Sequence, residues 1–76
     1  MAEVRLPKLD AAMKEAIIIE WLKQEGDPVA EGEPLVQLET DKAVGELPSP
    51  VSGVVRRVLH PQGARVAVDT VLAVIE

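Results

Sequence analysis

An all-β fold, a flattened barrel or sandwich of two four-stranded antiparallel sheets, is what the sequence predicts, and three observations predict it. Short runs rich in Val, Ile and Leu alternate with polar residues, and Pro and Gly interrupt these runs at close intervals. No segment carries both the length and the caps of a stable helix. The second half of the chain also reads as a copy of the first. Displaced by about 37 positions, Leu22 falls on Leu59, Gly26 on Gly63, Val29 on Val66, Ala30 on Ala67, Leu35 on Leu72 and Glu39 on Glu76. Ile17 with Val54, Ile18 with Val55 and Leu38 with Ile75 are conservative matches in the same register. Each of the two matched glycines follows a strand-like run, where a reversing chain calls for positive φ.

Val4-Arg5-Leu6 predicts a first strand, stopped by Pro7. Lys8 to Glu15 is polar and alanine-bearing; Ala11 to Ala16 is too short and too poorly capped for a helix, and the stretch reads as a surface loop. Ile17 to Leu22 is the clearest strand, Gly26-Asp27-Pro28 a turn, and Val29 a strand of one or two residues. After a second turn at Glu31 to Pro34, the run Leu35 to Glu39 has a period of two, with Val36 and Leu38 on one face and Gln37 and Glu39 on the other. Asp41-Lys42 breaks it. Val44 to Leu47 resumes a strand that Pro48-Ser49-Pro50 ends, Gly53 to Leu59 repeats the Ile17 strand, Gln62-Gly63 turns, Val66 repeats Val29, and Val71 to Ile75 closes the domain. Eight strands in two sets of four, packed over an aliphatic core, bury the β-branched rows. An approximate two-fold would relate the halves, with the midpoint hairpin and the pair of termini on its axis at opposite ends. Gly45, inside a strand beside the midpoint, suggests a bulge or a close approach.

Composition sets bounds on function. The 76 residues suit one small domain with a compact core. The chain has no Phe or Tyr and a single Trp, so it offers no stacking platform for single-stranded nucleic acid. A formal net charge of −5 argues against a phosphate-backbone partner. Without cysteine there is no disulfide framework, thiolate metal site or cysteine nucleophile. No apolar run is long enough to span a membrane, and the N-terminus has no signal pattern. The expected setting is the cytoplasm, with the isolated domain a monomer.

One residue stands out chemically. Lys42 lies near the centre of the repeat, in Glu39-Thr40-Asp41-Lys42-Ala43-Val44, where a two-fold fold projects one point outward. A lysine at a hairpin tip is ordinarily just a solvated side chain. Here the turn lacks the Asn-Gly or Asp-Gly pair of a two-residue hairpin, and nothing else resembles a reactive centre. A nominal triad of His60, Asp69 and Ser49 or Ser52 lacks nucleophile-elbow spacing. His60 matches Lys23 in the repeat and reads as a surface residue. No catalytic residue and no metal site are expected, because the acidic residues have neither calcium-loop nor zinc spacing.

The motif around Lys42, with Glu46 and Pro48-Ser49-Pro50-Val51-Ser52-Gly53 after it, resembles the lipoyl domain of the acyltransferase component of 2-oxo acid dehydrogenase complexes. Leu6-Pro7-Lys8-Leu9, Trp21 to Asp27 and Gly32-Glu33-Pro34-Leu35 extend the resemblance over essentially the whole chain. It implies the lipoyl/biotinyl hammerhead fold and lipoate in amide linkage to Lys42, in a turn where Asp41 and Ala43 help an attaching enzyme recognise its target. The domain would then catalyse nothing itself. As a swinging arm it would serve a thiamine-diphosphate-dependent decarboxylase, an acyltransferase catalytic domain and a flavin-dependent dihydrolipoamide dehydrogenase. The chain lacks cysteine, so the redox-active sulfurs would come from the cofactor. The resemblance also makes the loop of Lys8, Leu9, Asp10, Ala11, Ala12, Met13, Lys14 and Glu15 the partner-recognition surface. Residues 1–76 would be one carrier domain, the N-terminal part of a longer acyltransferase. In a eukaryote the setting would be the mitochondrial matrix.

The sequence departs from that family at three places. Asp10 and Ala16 stand where glycine is common, and Gly45 takes a place often held by Val. Two rivals share the fold. A biotinyl carrier of a carboxylase is marked by Ala-Met-Lys-Met; Ala12-Met13-Lys14 is followed by Glu15 and lies far from the midpoint. An unmodified docking module fits the repeat and composition equally well, and only the lysine motif separates it.

Overall fold

The computed structural model describes all residues from Met1 to Glu76 and contains strands but no helix. The strands are β1 (Ala2–Arg5), β2 (Glu15–Trp21), β3 (Pro28–Val29), β4 (Pro34–Glu39), β5 (Val44–Pro48), β6 (Gly53–Val58), β7 (Arg65–Ala67) and β8 (Val71–Ile75). They form two four-stranded sheets, ordered β1-β8-β6-β3 and β5-β4-β2-β7, with every pairing antiparallel. The predicted fold class is the observed one, and strand boundaries differ from the predicted ones by one or two residues at most positions.

The internal repeat governs this topology. Exchanging β1 with β5, β2 with β6, β3 with β7 and β4 with β8 turns one sheet order into the other. The same exchange maps individual hydrogen bonds. Gly26 N–H donates to Val55 O at 2.8 Å, and Gly63 N–H donates to Ile18 O at 2.7 Å. Leu22 N–H to Leu35 O and Leu59 N–H to Leu72 O, both 2.9 Å, are a second such pair. Even the irregularities recur: the ladder slips between Ile18 and Glu20 on β2 and between Val55 and Arg57 on β6. The predicted positive φ of the matched glycines is present, 94° at Gly26 and 90° at Gly63.

The mapping corrects the expected placement of the axis. The β4–β5 hairpin is the counterpart of the β8–β1 pair that holds the termini, so the two-fold exchanges them. Neither can lie on the axis.

The core is one cluster of 16 buried apolar residues drawn from both sheets. Leu6, Ile18, Leu35, Leu38, Leu72 and Ile75 are fully buried, each worth about 1.5–3 kcal/mol in removed apolar surface. In β4, Val36 and Leu38 face inward as predicted, while Leu35 is buried as well because the β4–β5 register shifts between Pro34 and Val36. Trp21 packs at the core margin and donates its indole N–H to His60 O at 2.8 Å, joining the end of β2 to the loop after β6.

One segment breaks the two-fold. Leu6 N–H donates to Thr70 O as Ser49 N–H donates to Glu33 O, so Leu6 and Ser49 are counterparts. From Leu6 to Ala16 the chain takes ten steps, and from Ser49 to Gly53 only four, so the β1–β2 connection carries an excess of six residues. This is the expected loop, with two corrections. Glu15 already belongs to β2, paired with Ala67 on β7. Met13 is not on the surface: it is only 4% exposed and belongs to the core, since the connection must close the open end of the sandwich with an apolar side chain. The expectation for Gly45 also fails. It pairs in register with Leu38, and a Cβ built on it meets nothing within 4 Å, so it marks neither a bulge nor a close approach.

Candidate functional site

From Val36 and Leu47 onward β4 and β5 run in register to Glu39 and Val44, leaving Thr40 to Ala43 as a tight tip. Thr40 organises that tip. Its backbone N–H donates to Ala43 O at 2.8 Å. Its Oγ1 accepts the amides of Lys42 at 3.3 Å and Ala43 at 3.2 Å and lies 3.2 Å from Ala43 O as donor. A threonine hydroxyl thus does the work that Asn-Gly does in shorter hairpins. Thr40 leaves no periodic mark in the sequence; a Thr two residues before the tip lysine is the signal of a side-chain-closed turn.

Lys42 sits on this turn with 60% of its side chain exposed. Asp41 and Ala43 flank it, both exposed, and the Asp41 carboxylate makes no ion pair or hydrogen bond. The one charged group that meets the ammonium is on another element: Asp10 Oδ1 in the β1–β2 loop lies 4.0 Å from Lys42 Nζ. The fold therefore brings the predicted loop to the predicted lysine. Beside them a groove of about 550 Å³ is lined by Ala12, Lys14, Glu15, Ala16, Ile17, Glu39, Thr40, Asp41 and Arg65. Arg65 and Glu15, paired at 2.6 Å across β7 and β2, brace one wall. Of the predicted loop residues, Lys8, Leu9, Ala11, Ala12, Lys14 and Glu15 are exposed and Asp10 is half-buried.

The loop is held at its base. Leu6 N–H donates to Thr70 O at 2.9 Å, Asp69 N–H to Leu6 O at 2.8 Å and Val68 N–H to Lys14 O at 3.0 Å. Met13 is anchored in the core, and its sulfur lies 3.2 Å from the Leu9 amide. The Asp10 carboxylate caps the arch by accepting the Ala12 amide at 2.9 Å, and Met13 N–H donates to Asp10 O at 3.2 Å.

The nominal triad does not form. The Ser49 hydroxyl is buried and donates to Val51 O at 2.6 Å, and Ser52 Oγ accepts the Glu31 amide at 2.9 Å. No group of three or more His, Asp and Glu side chains comes together as a metal-binding cluster. Chemically, the site offers one exposed primary amine on a hydrogen-bonded turn, open to solvent on a narrow tip. That geometry suits covalent attachment of a group to the amine by an enzyme that grips the turn.

Comparison with known proteins gives three findings. A family model, Biotin_lipoyl, described as Biotin-requiring enzyme, matches residues 2–75. The chain is 44% identical over 75 residues, 99% of its length, to the dihydrolipoyllysine-residue succinyltransferase component of the 2-oxoglutarate dehydrogenase complex of Bacillus subtilis. It is 40% identical over 73 residues, 95% of its length, to the dihydrolipoyllysine-residue acetyltransferase component of the pyruvate dehydrogenase complex of Zymomonas mobilis. It spans only 18% and 17% of those two relatives. Among solved structures, the lipoyl domain of the 2-oxoglutarate dehydrogenase complex from Azotobacter vinelandii superposes with a TM-score of 0.81 at 24% identity, covering 100% of this chain and 96% of that one, which shows a shared fold.

Proposed function

Because this chain belongs to the Biotin_lipoyl family, we propose that it is a lipoyl carrier domain of the acyltransferase component of a 2-oxo acid dehydrogenase complex, with lipoate attached through an amide to Lys42. The observation that carries this reading is the tip itself: an exposed primary amine on a turn whose amides are fixed by Thr40. Lipoate, once attached, supplies a dithiolane that takes up an acyl group and two electrons, chemistry that a chain without cysteine cannot supply. The residues of the chain hold and present the amine. Thr40 fixes the turn, Asp41 and Ala43 leave it accessible to the attaching enzyme, and the sandwich gives the hairpin a rigid base. Tethering raises the effective concentration of the arm at each partner site.

The partners under this reading are a thiamine-diphosphate-dependent decarboxylase, the acyltransferase catalytic domain, a flavin-dependent dihydrolipoamide dehydrogenase and a lipoate-attaching enzyme. The domain carries and does not catalyse. It forms part of a longer acyltransferase chain and works where that complex works, in the cytoplasm or the mitochondrial matrix. Relatives of the succinyl and acetyl classes are similarly identical to it, so the 2-oxo acid is left at the level of the class. Lipoate is favoured over biotin because both relatives named are dihydrolipoyllysine proteins and because Lys42 is flanked by Asp41 and Ala43 rather than by methionines. Lys42→Arg is expected to fold with an unchanged unfolding midpoint and to lose reductive acylation by the decarboxylase entirely. An arginine variant that is still acylated would move the attachment point elsewhere.

A further inference from the structure

We propose that Asp10 makes the β1–β2 loop a reader of the charge on Lys42, so that the loop is tethered to the tip while the lysine is free and released once the lysine is amidated; this rests on the attachment of lipoate to Lys42 proposed above. The connection carries six residues more than its two-fold counterpart, so its arch is an addition to the sandwich and not a requirement of it. Both ends of the arch are fixed, at Leu6 through Thr70 and Asp69, and at Lys14 through Val68, with Met13 sunk in the core. Between these anchors the arch has one ionic link to the rest of the molecule, Asp10 Oδ1 to Lys42 Nζ at 4.0 Å.

The same carboxylate accepts the Ala12 amide at 2.9 Å, so the group that meets the lysine is also the group that holds the arch in shape. A carboxylate has lone pairs for both. Amide formation at Nζ converts a cation with three donors into a neutral group with one, and the Coulomb attraction to Asp10 disappears. The loop then loses its front tether, and the tip gains one unit of negative charge. A partner that docks on loop and tip together therefore meets a different surface before and after modification. That surface is held and compact when the amine is free, and looser and more acidic when it is amidated. Its fit is to a protein face carrying cationic side chains around an opening for the arm. Only Asp10 can serve this role: Lys8 and Lys14 have the wrong sign, and Glu15 is already paired with Arg65.

Amide hydrogen exchange, read by NMR residue by residue, tests the inference on the folded domain. Four forms are compared: native, Lys42→Gln, Lys42→Arg and the domain with lipoate on Lys42. The amides of Ala12 and Met13 are expected to exchange about two- to five-fold faster in Lys42→Gln and in the lipoylated domain than in the native one, the range of an exposed ion pair. Lys42→Arg keeps the native rates, and Asp10→Asn reproduces the fast ones without touching the lysine. The β4–β5 ladder amides of Leu38 and Gly45, which face each other across the strands, serve as the unchanged reference. Equal rates at Ala12 and Met13 in native and Lys42→Gln forms would overturn the loop's role while an adduct on Lys42 left the carrier reading standing. Failure of lipoate to attach at all would overturn both.

Discussion

At the scale of single residues, the proposed function rests on a lysine that the sequence marks and on a threonine that it does not. Lys42 was legible because the repeat centres on it and its neighbours form a recognisable run. Thr40 was hidden because a hydroxyl bonding to nearby amides leaves no periodic trace. Thr40→Ala removes its side-chain bonds to the Lys42 and Ala43 amides. It is expected to cost about 1 kcal/mol of stability and to slow attachment at Lys42 several-fold, with Thr40→Ser restoring both; denaturant titration and timed mass spectra read the two effects. A second residue-scale prediction concerns acid. Glu33 accepts the Ala30 amide at 3.0 Å and pairs with Lys23 at 3.1 Å, and these contacts, the Ala30 bond first, lower its pKa below the usual 4.5. A carboxylate whose pKa is depressed on folding stabilises the fold at pH above its unfolded value. That contribution fades as pH falls from 4.5 through the lower folded value. Unfolding midpoints measured across this window should fall less steeply for Glu33→Gln than for the native domain.

At the scale of elements, the strands were readable because alternation and turn residues survive in one dimension. Their irregularities were not. The slips at Ile18–Glu20 and Val55–Arg57 require knowledge of which strand lies opposite, and the burial of Met13 depends on what the end of the sandwich leaves open. The two strand glycines illustrate the same gap. Gly45 stood out in the sequence, yet nothing lies within 4 Å of its absent side chain. Gly53 reads in the sequence only as the start of a strand and the end of the Pro48–Gly53 run, yet a Cβ there would sit 2.5 Å from Glu76 O and 2.9 Å from Ile75 Cγ2. Gly53→Ala is therefore expected to destabilise by about 1–3 kcal/mol, since the backbone of Glu76 cannot yield without breaking its bonds to Val54. Gly45→Val should be neutral or stabilising by up to about 1 kcal/mol, as a β-branched residue suits an exposed strand. Equal losses in the two variants, measured by urea titration, would contradict this contrast between an open edge strand and a crowded interior one.

At the scale of the whole molecule, a duplicated four-strand unit builds two sheets that the two-fold exchanges, and it yields two equivalent ends. One is the β4–β5 hairpin and the other is the pair of termini on β8 and β1. The repeat predicted this pairing of features, but their placement relative to the axis emerged only from the strand order. Functionally, the duplication gives a rigid base with one projecting tip, and the six-residue excess in the β1–β2 connection gives that tip its only asymmetric neighbour. Under the proposed function this tip is a lipoate attachment point. Its most direct test is the intact mass of the domain co-expressed with a lipoate-attaching enzyme, with and without lipoate, followed by peptide mapping. One lipoyl adduct is expected, located on Lys42 and absent from Lys42→Arg. A biotin adduct at Lys42, or a folded domain that takes no adduct, would contradict the proposed function.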